Sequence, residues 1–331
     1  MGASILVAGG AGYIGAHTCK ALADAGYTPV TYDNLSTGHA DFVRWGPLVE
    51  GDIADSAKVT DVCRVHGIVA AIHFAADAIV EESVADPAKY YRNNVAGTLS
   101  LLDGLRAAGV RNIVFSSSCA VYGAPEGQPI FEDTPPNPIN PYGASKLMVE
   151  RILADYARGY QLRWIALRYF NACGADPEGE IGELRSHETH LIPRAMMWLQ
   201  GYIDEFRVFG TDYPTADGTA IRDYIHVCDL ARGHILALGK LLGEGAGGVF
   251  NLGSGLGYSV KDVLGQIAKE TGAKIPAIAG ARRSGDPPIL LADLTRARDQ
   301  LGFVPVSSQL PNIVATAWRW HQKAHPIRNY R

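Results

Sequence analysis

The chain lacks a charge excess, a cysteine framework and any long apolar run. Its 331 residues carry 30 Lys and Arg against 34 Asp and Glu, a formal net charge of −4. Without a basic excess there is no electrostatic footprint for a polyanion, so nucleic acid is not an expected partner. The five cysteines, Cys19, Cys63, Cys119, Cys173 and Cys228, are scattered with no paired spacing. Such spacing builds neither a disulfide framework nor a zinc site. Reduced thiols and a cytoplasmic location are the expectation. No apolar stretch approaches the roughly 18 residues of a membrane span, so no membrane association is expected. No charged segment precedes an apolar one near the start, as a secretory signal would require. There is no internal repeat and no low-complexity tract. What remains is an ordinary globular balance, 47% hydrophobic and 19% charged, in a chain long enough for one large domain or two.

What the chain does have is rhythm. Ile5-Leu6-Val7-Ala8 reads as a buried strand, Gly12–Ala25 as a helix, and Pro29-Val30-Thr31-Tyr32 as a second strand followed by Asp33. A third strand is expected just before Gly51. The runs Val69–Ala75, Asn112–Ser117 and Leu162–Leu167 read as further strands, with helices at Ser56–His66, Tyr91–Ala108 and Ser145–Arg158 between them. Strands apolar on both faces, alternating with helices, predict a doubly wound parallel sheet covered on both sides. After Asn171 the alternation breaks. Residues 174–190 are rich in Gly, Glu and Pro and read as a loop or lid. Helices are suggested beyond it at Pro193–Gln200, Val260–Thr271 and Leu310–His321.

Two motifs carry chemistry. Gly9, Gly12 and Gly15 are spaced by three between a strand and a helix. Such glycines let the backbone approach a pyrophosphate at a helix N-terminus, where free N–H groups and the dipole favour an anion. Asp33 ends the next strand, and its carboxylate suits a ribose diol and repels a 2′-phosphate, which favours NAD over NADP. Asp52, after Gly51, suits the adenine edge. The expected fold is therefore a Rossmann-type α/β domain over residues 1–173, joined by returning segments near 222–255. A smaller mixed α/β substrate domain, 174–331, is expected at the carboxyl ends of the sheet. The second motif is Tyr142 and Lys146, four residues apart in a segment that reads as the first turns of a helix. Residues at i and i+4 share a helix face. A free phenol with a pKa near 10 is a poor base at neutral pH, and a nearby cation favours its phenolate. The expectation is that Lys146 lowers the pKa of Tyr142. Tyr142 could then take a proton from a substrate hydroxyl as a hydride leaves the carbon beneath. Ser118, ending the Ser116-Ser117-Ser118 run, would bond that hydroxyl.

These residues resemble those of the extended short-chain dehydrogenase/reductase superfamily, and within it the chain resembles the UDP-glucose 4-epimerases along nearly its whole length. The resemblance is carried by Gly9–His17, Asp33-Asn34-Leu35, Gly51-Asp52-Ile53, Ile72-His73-Phe74-Ala75 and Asn93-Asn94-Val95. It continues through Ser116–Gly123, Pro141–Glu150, Leu167–Asn171, Tyr213-Pro214-Thr215, Asp217-Gly218-Thr219, Ile221–His226 and Arg282–Asp286. It implies Tyr142 as catalytic base, Lys146 as its electrostatic partner and Ser118 as hydroxyl ligand. NAD would be held by the three glycines with Tyr13, Ile14, Asp33, Asn34, Asp52, Ile53, Phe74, Ala75, Asn93 and Ser116. Tyr142, Lys146 and Phe170 would surround its nicotinamide end. A UDP-sugar would meet Ser118, Tyr142, Asn171, His190, Leu191, Arg207, Phe209, Arg222, Arg283, Asp286 and Leu290. For the arginines the physical reading agrees, since two guanidinium groups can hold a diphosphate through bidentate bonds. A homodimer is implied, paired through a four-helix bundle of the segments Tyr91–Ala108 and Ser145–Arg158.

The implied chemistry is redox-neutral. A 4-keto sugar forms, turns about its phosphate linkage and is reduced on the opposite face. Three positions depart from the family pattern. Ala78 stands where many members have a cofactor-contacting Lys, which predicts looser NAD binding. Ala120 stands where many have Thr, which removes one substrate hydrogen bond. His190 stands where some have Asn and can still donate to a phosphate. A 4,6-dehydratase or decarboxylase on the same scaffold needs acidic residues just past the serine run, where this chain has Cys119-Ala120. A non-catalytic NAD-binding sensor would be expected to lose Tyr142 or Lys146. Epimerisation of another UDP-sugar, an N-acetylated hexosamine, a pentose or a uronate, remains the alternative.

Overall fold

A computed structural model describes residues 2–243, 247–283 and 286–325. Its first half alternates strand and helix. The strands are β1 (Ser4–Ala8), β2 (Thr28–Asp33), β3 (Leu48–Glu50), β4 (Ile68–His73), β5 (Asn112–Ser118) and β6 (Arg163–Tyr169). The helices are α1 (Tyr13–Asp24), α2 (Ser56–Val65), α3 (Val80–Ala85), α4 (Pro87–Tyr90), α5 (Thr98–Ala107) and α6 (Pro141–Tyr160). Later come β7 (Asn171–Cys173), α7 (Leu191–Leu199), β8 (Phe206–Phe209), β9 (Ile221–His226), α8 (Val227–Gly243) and β10 (Gly248–Leu252). The chain closes with β11 (Gly257–Ser259), α9 (Val260–Thr271), β12 (Ala277–Gly280), β13 (Ile289–Leu290), α10 (Thr295–Leu301) and α11 (Leu310–Ala324).

Among the described residues, seven strands form one parallel sheet in the order β10-β6-β5-β4-β1-β2-β3. This is the Rossmann-type doubly wound arrangement. The order reverses between β1 and β4, the crevice where such sheets bind ligands. Residues Ile5 to Ala8 are wholly buried, and their alternation sorts two cores. Leu6 and Ala8 face α2, α5 and α6 through Val59, Leu101, Leu105 and Leu153. Ile5 and Val7 face α1 and α8 through Leu22, Leu230, Leu238 and Leu241. The period of two along a strand makes this division obligatory. A third core joins Ile192, Met196, Phe206, Val208, Ile267, Ile313 and Val314 over the later strands and helices.

Local rules explain the boundaries. Helix α6 starts at Pro141, four residues before the predicted Ser145, because Asn140 Oδ1 caps Gly143 N at 2.8 Å and Pro141 suits the first turn. The run predicted as strand to Ala75 stops at His73, since Phe74 and Ala75 turn their N–H groups to Ala8 O. The single helix predicted over Tyr91–Ala108 is interrupted: Tyr91–Gly97 winds as a wide π-helical turn, and α-helix resumes at Thr98. Helix α8 was not predicted. The stretch 174–190 contains no helix or strand, but it is a fastened strap rather than a free lid. Lys20 binds Asp176, Glu178 and Glu180 at 2.6–3.1 Å. Tyr13, His39, Trp320 and Lys323 bond its carbonyls. No helix of the described residues is long and apolar enough to cross a membrane.

Candidate active site

The residues singled out from the sequence gather at the carboxyl edge of the sheet. Gly9 leaves β1 with φ +81°, and a Cβ there would meet the Ala75 backbone N at 2.6 Å. Only glycine lets the turns after β1 and β4 touch. At Gly12, by contrast, a Cβ would meet only Gly9 O, at 3.4 Å. Gly12 caps α1 with no side-chain hydrogen bond, so the first N–H groups of a 12-residue helix, including those of Tyr13 and Ile14, have no side-chain cap. Gly15 packs on Gly9 in the first turn. That cradle fits a pyrophosphate. Asp33 ends β2 nearly buried, with Oδ2 accepting from Ala11 N at 3.0 Å and Oδ1 from Leu35 N at 2.9 Å. Burial raises its pKa, and the two N–H groups oppose the rise. Asn34 donates to Asp52 Oδ2 at 2.9 Å, which places both at the rim beside β3. Ile53 is buried, Phe74 packs on His234 at 4.7 Å, and Asn93 donates to Asp77 at 3.0 Å. This donor set suits a dinucleotide: free N–H groups for the phosphates, and carboxylates for the ribose and base.

The second candidate group is the pair Tyr142 and Lys146. Tyr142 and Lys146 share one face of α6 and are both buried. Lys146 Nζ stands 5.8 Å from the Tyr142 ring centroid and 4.9 Å from that of Phe115. Its hydrogen bond goes to Ser116 O, 2.8 Å away. The Ser116 hydroxyl bonds Tyr169, and Ser118 Oγ accepts from Ala120 N at 3.2 Å. Phe170 is buried beside Val121, Tyr122 and Leu147. The expected depression of the phenol is not what these residues alone produce. Burial pushes Tyr142 up to about 12, against the pull of Ser118 and of the Arg185 guanidinium. Burial also brings Lys146 down to about 7, with the Glu150 carboxylate opposing. Desolvation is the largest cause in both groups.

The substrate candidates lie on the later elements. Asn171 is exposed on β7, opposite Tyr224 of β9. Arg222, on β9, donates to Asp286 Oδ1 at 2.5 Å and to Pro287 O at 2.8 Å. Leu290 pairs with it in register. Arg207 and Phe209 share the exposed face of β8. The Arg283 guanidinium lies 4.6 Å over the Phe209 ring and meets Glu81 at 3.1 Å. Arg207 bonds Glu205 on the surface. Leu191 opens α7 and His190 caps it. Ser284 and Gly285, inside the Arg282–Asp286 segment, lie outside the described residues.

A family model described as NAD dependent epimerase/dehydratase matches residues 5–253. The chain belongs to this family. It is 50% identical over 324 residues to a UDP-glucose 4-epimerase of Rhizobium leguminosarum bv. trifolii, covering 98% of this chain and 99% of that protein. The crystal structure of the Brucella ovis UDP-glucose 4-epimerase, in complex with NAD, is similar at a TM-score of 0.94 and 56% identity, covering 96% of this chain and 97% of that one. The Bifidobacterium longum UDP-glucose 4-epimerase, crystallised with NAD+ and UDP, is similar at a TM-score of 0.90 and 37% identity, covering 98% and 99%.

Several residues of this family member were not singled out from sequence. Asn94 ties three elements together: Nδ2 donates to Ser145 Oγ at 3.1 Å and to Asp77 O at 3.0 Å, and Oδ1 accepts from Asp77 N at 2.9 Å. The π-helical turn brings it there, a feature common beside functional sites. Glu150 sits one turn beyond Lys146, and that spacing was the available signal. Its partner Arg168, on β6, binds it through two bonds of 2.9 and 2.6 Å. Ser117 donates to it at 2.6 Å. Both charges are buried, where a bidentate pair holds a single geometry. The pair therefore fixes α6 to β5 and β6. Arg185 and Glu183, on the strap, were also missed.

Proposed function

We propose that this protein catalyses the reversible, NAD-dependent 4-epimerisation of UDP-hexoses, interconverting UDP-glucose and UDP-galactose. The reading is carried by Tyr142 and Lys146, buried together on one face of α6 with Lys146 bonded to the Ser116 carbonyl of β5. End-to-end similarity to UDP-glucose 4-epimerases supports it. Bound NAD supplies a hydride acceptor that returns what it takes, together with a positive charge. Gly9, Gly12 and the start of α1 would hold its phosphates, Asp33 a ribose, and Asp52 with Ile53 the adenine.

Tyr142 takes the proton of the sugar 4-hydroxyl as C4 becomes a ketone, and Ser118 bonds that oxygen. Arg222 and Arg283 grip the diphosphate, while Asp286 meets the uridine ribose. The two grips belong to different elements, so the hexose can turn while the nucleotide stays. Tyr142 then returns the proton to the new hydroxyl. Burial raises the phenol, and a cation must offset that rise for the base to work at neutral pH. Lys146, one turn away, and Arg185 are placed to contribute. In Rossmann-type enzymes of this build we place the protein in the cytoplasm as a homodimer, paired through the segments around Tyr91 and α6. Tyr91, Met148 and Tyr160 leave 37%, 41% and 50% of their surface exposed there, which supports an apolar contact.

The test is turnover of UDP-galactose by the purified protein, with UDP-glucose read by a coupled UDP-glucose dehydrogenase. Epimerisation is expected without net release of NADH. Strict consumption of stoichiometric NAD would make the protein a dehydrogenase, and failure to convert UDP-galactose would overturn the reading.

A further inference from the structure

On the sheet face away from α5 and α6, a cavity of about 560 Å³ opens between α1, α8 and the strap. That volume is ordinary for a small-molecule site. None of its lining residues belongs to the NAD or UDP-sugar sites proposed above, and pairing through α6 does not cover it. Two polar side chains that line it carry a buried atom with no hydrogen-bond partner, His17 through Nε2 and Arg232 through Nε. Buried polar atoms are nearly always paired, so two on one cavity call for an explanation. His17 is 3% exposed, and its Nδ1 bonds Tyr13 O at 2.8 Å. A carbonyl only accepts, so Nδ1 carries the proton. Burial lowers the imidazole pKa to about 4, so the ring is neutral at pH 7 and Nε2 is a bare acceptor. Arg232 Nε is a donor, and the far end of its guanidinium is held by Val304 O and Asp229.

Much of the remaining wall is apolar, with Ala21 and Ala25 from α1 and its C-cap and Ala231 and Ile235 from α8. The strap side is pinned, since Lys20 holds Asp176 and Glu178 at 2.8 and 3.1 Å. Lys20 and Arg232 share the cavity with Asp24, Asp176 and Glu178. Carboxylates outnumber cations there, so an anion is disfavoured. We propose that this cavity is a second ligand site, for a neutral phenol that also carries a carbonyl group. The hydroxyl donates to His17 Nε2, the carbonyl accepts from Arg232 Nε–H, and the ring lies against the alanines and Ile235. The class of ligand follows from what the wall leaves unpaired. One acceptor calls for a hydroxyl, one donor calls for a carbonyl, and apolar walls suit the faces of a ring. A phenol, with a pKa near 10, is a neutral donor at pH 7. The site is independent of the reaction proposed above.

The test uses the full chain with NAD and UDP in excess, so that the crevice is filled, and 3- and 4-hydroxybenzamide as probes. These isomers differ only in the span between hydroxyl and carbonyl. Saturation-transfer NMR and calorimetry at pH 7 read the binding. At least one isomer should bind saturably at millimolar concentration. Benzamide, which lacks the hydroxyl, should bind about five- to tenfold more weakly, the size of one hydrogen bond. The matching hydroxybenzoate, an anion, should also bind more weakly. His17→Phe keeps an aromatic ring and removes the acceptor, and it should bring the hydroxybenzamide down to the affinity of benzamide. Ile235→Trp should abolish binding by filling the cavity, with an unchanged circular dichroism spectrum. Absence of saturable binding by either isomer, equal affinity for benzamide, or binding that survives Ile235→Trp overturns the proposal. The benzamide comparison is made on the wild-type protein, so it decides even if His17→Phe does not fold.

Discussion

Replacing Lys146 by Met should make the nucleotide-free protein more stable while removing most activity. The lysine is 3% exposed, and burial takes its pKa from the ordinary 10.5 to about 7. Linkage converts that difference into a cost. Below pH 7 the folded and unfolded chains both hold the proton, and keeping the charged amine buried costs about 5 kcal/mol. Above pH 7 the folded chain releases the proton first, so the unfolded chain binds more and stability rises with pH. The cost is still about 4 kcal/mol at pH 7 and falls to about 2 kcal/mol at pH 9. Met keeps an apolar stem of similar length and loses the bond to Ser116 O, worth about 1 kcal/mol. The variant should therefore exceed wild type by about 3 kcal/mol at pH 7 and by about 1 kcal/mol at pH 9. Urea unfolding of both proteins at the two pH values, followed by circular dichroism, measures this directly. A variant less stable than wild type at pH 7, or a gap that does not narrow on raising the pH, would refute the reasoning. A stability gain with lost catalysis is the usual mark of a strained functional group.

Tyr142→Phe keeps the buried ring and removes the ionisable oxygen, so kcat should drop on the order of 10²–10⁴-fold with an unchanged unfolding curve; near-normal turnover at pH 7 would contradict the role of the phenol. Asp33→Ala removes the acceptor for Ala11 N and Leu35 N as well as the proposed ribose ligand. It should weaken NAD binding and relax the rejection of NADP, as titration with both nucleotides would show. Leu290 stands opposite Arg222 and packs against the cluster that includes Val121, Tyr122, Phe170 and Ala292. UDP-glucose and UDP-galactose should be the main pair, with weak turnover of UDP-N-acetylglucosamine. Leu290→Tyr should abolish the N-acetyl activity and spare the glucose reaction; an unchanged ratio would show that position 290 does not gate the pocket.

What the amino-acid sequence determined by itself was what a few neighbouring residues can encode. Uninterrupted apolar runs announced β1, β2, β5 and β6, because a strand buried on both faces needs no alternation. Three glycines before a helix announced the phosphate turn, and the i,i+4 spacing of Tyr142 and Lys146 announced a shared face. Tertiary structure decided the rest, because it turns on partners far apart in the chain. A returning segment near 222–255 was expected but no strand was named in it; β10 takes the sheet edge beside β6 across about eighty residues, a pairing that packing settles. The Glu150–Arg168 pair exists only once α6 and β6 are packed, and Asn94 reaches Ser145 only through the π-helical turn. The stretch 174–190 is polar enough to suggest a lid, yet Lys20 on α1 and Trp320 on α11 fasten it. The clearest case is the phenol itself. Sequence shows Lys146 one turn from Tyr142 but not Arg185, the guanidinium whose charge, with the Ser118 hydroxyl, favours the phenolate. Burial, which only the folded chain sets, raises its pKa by more than they lower it.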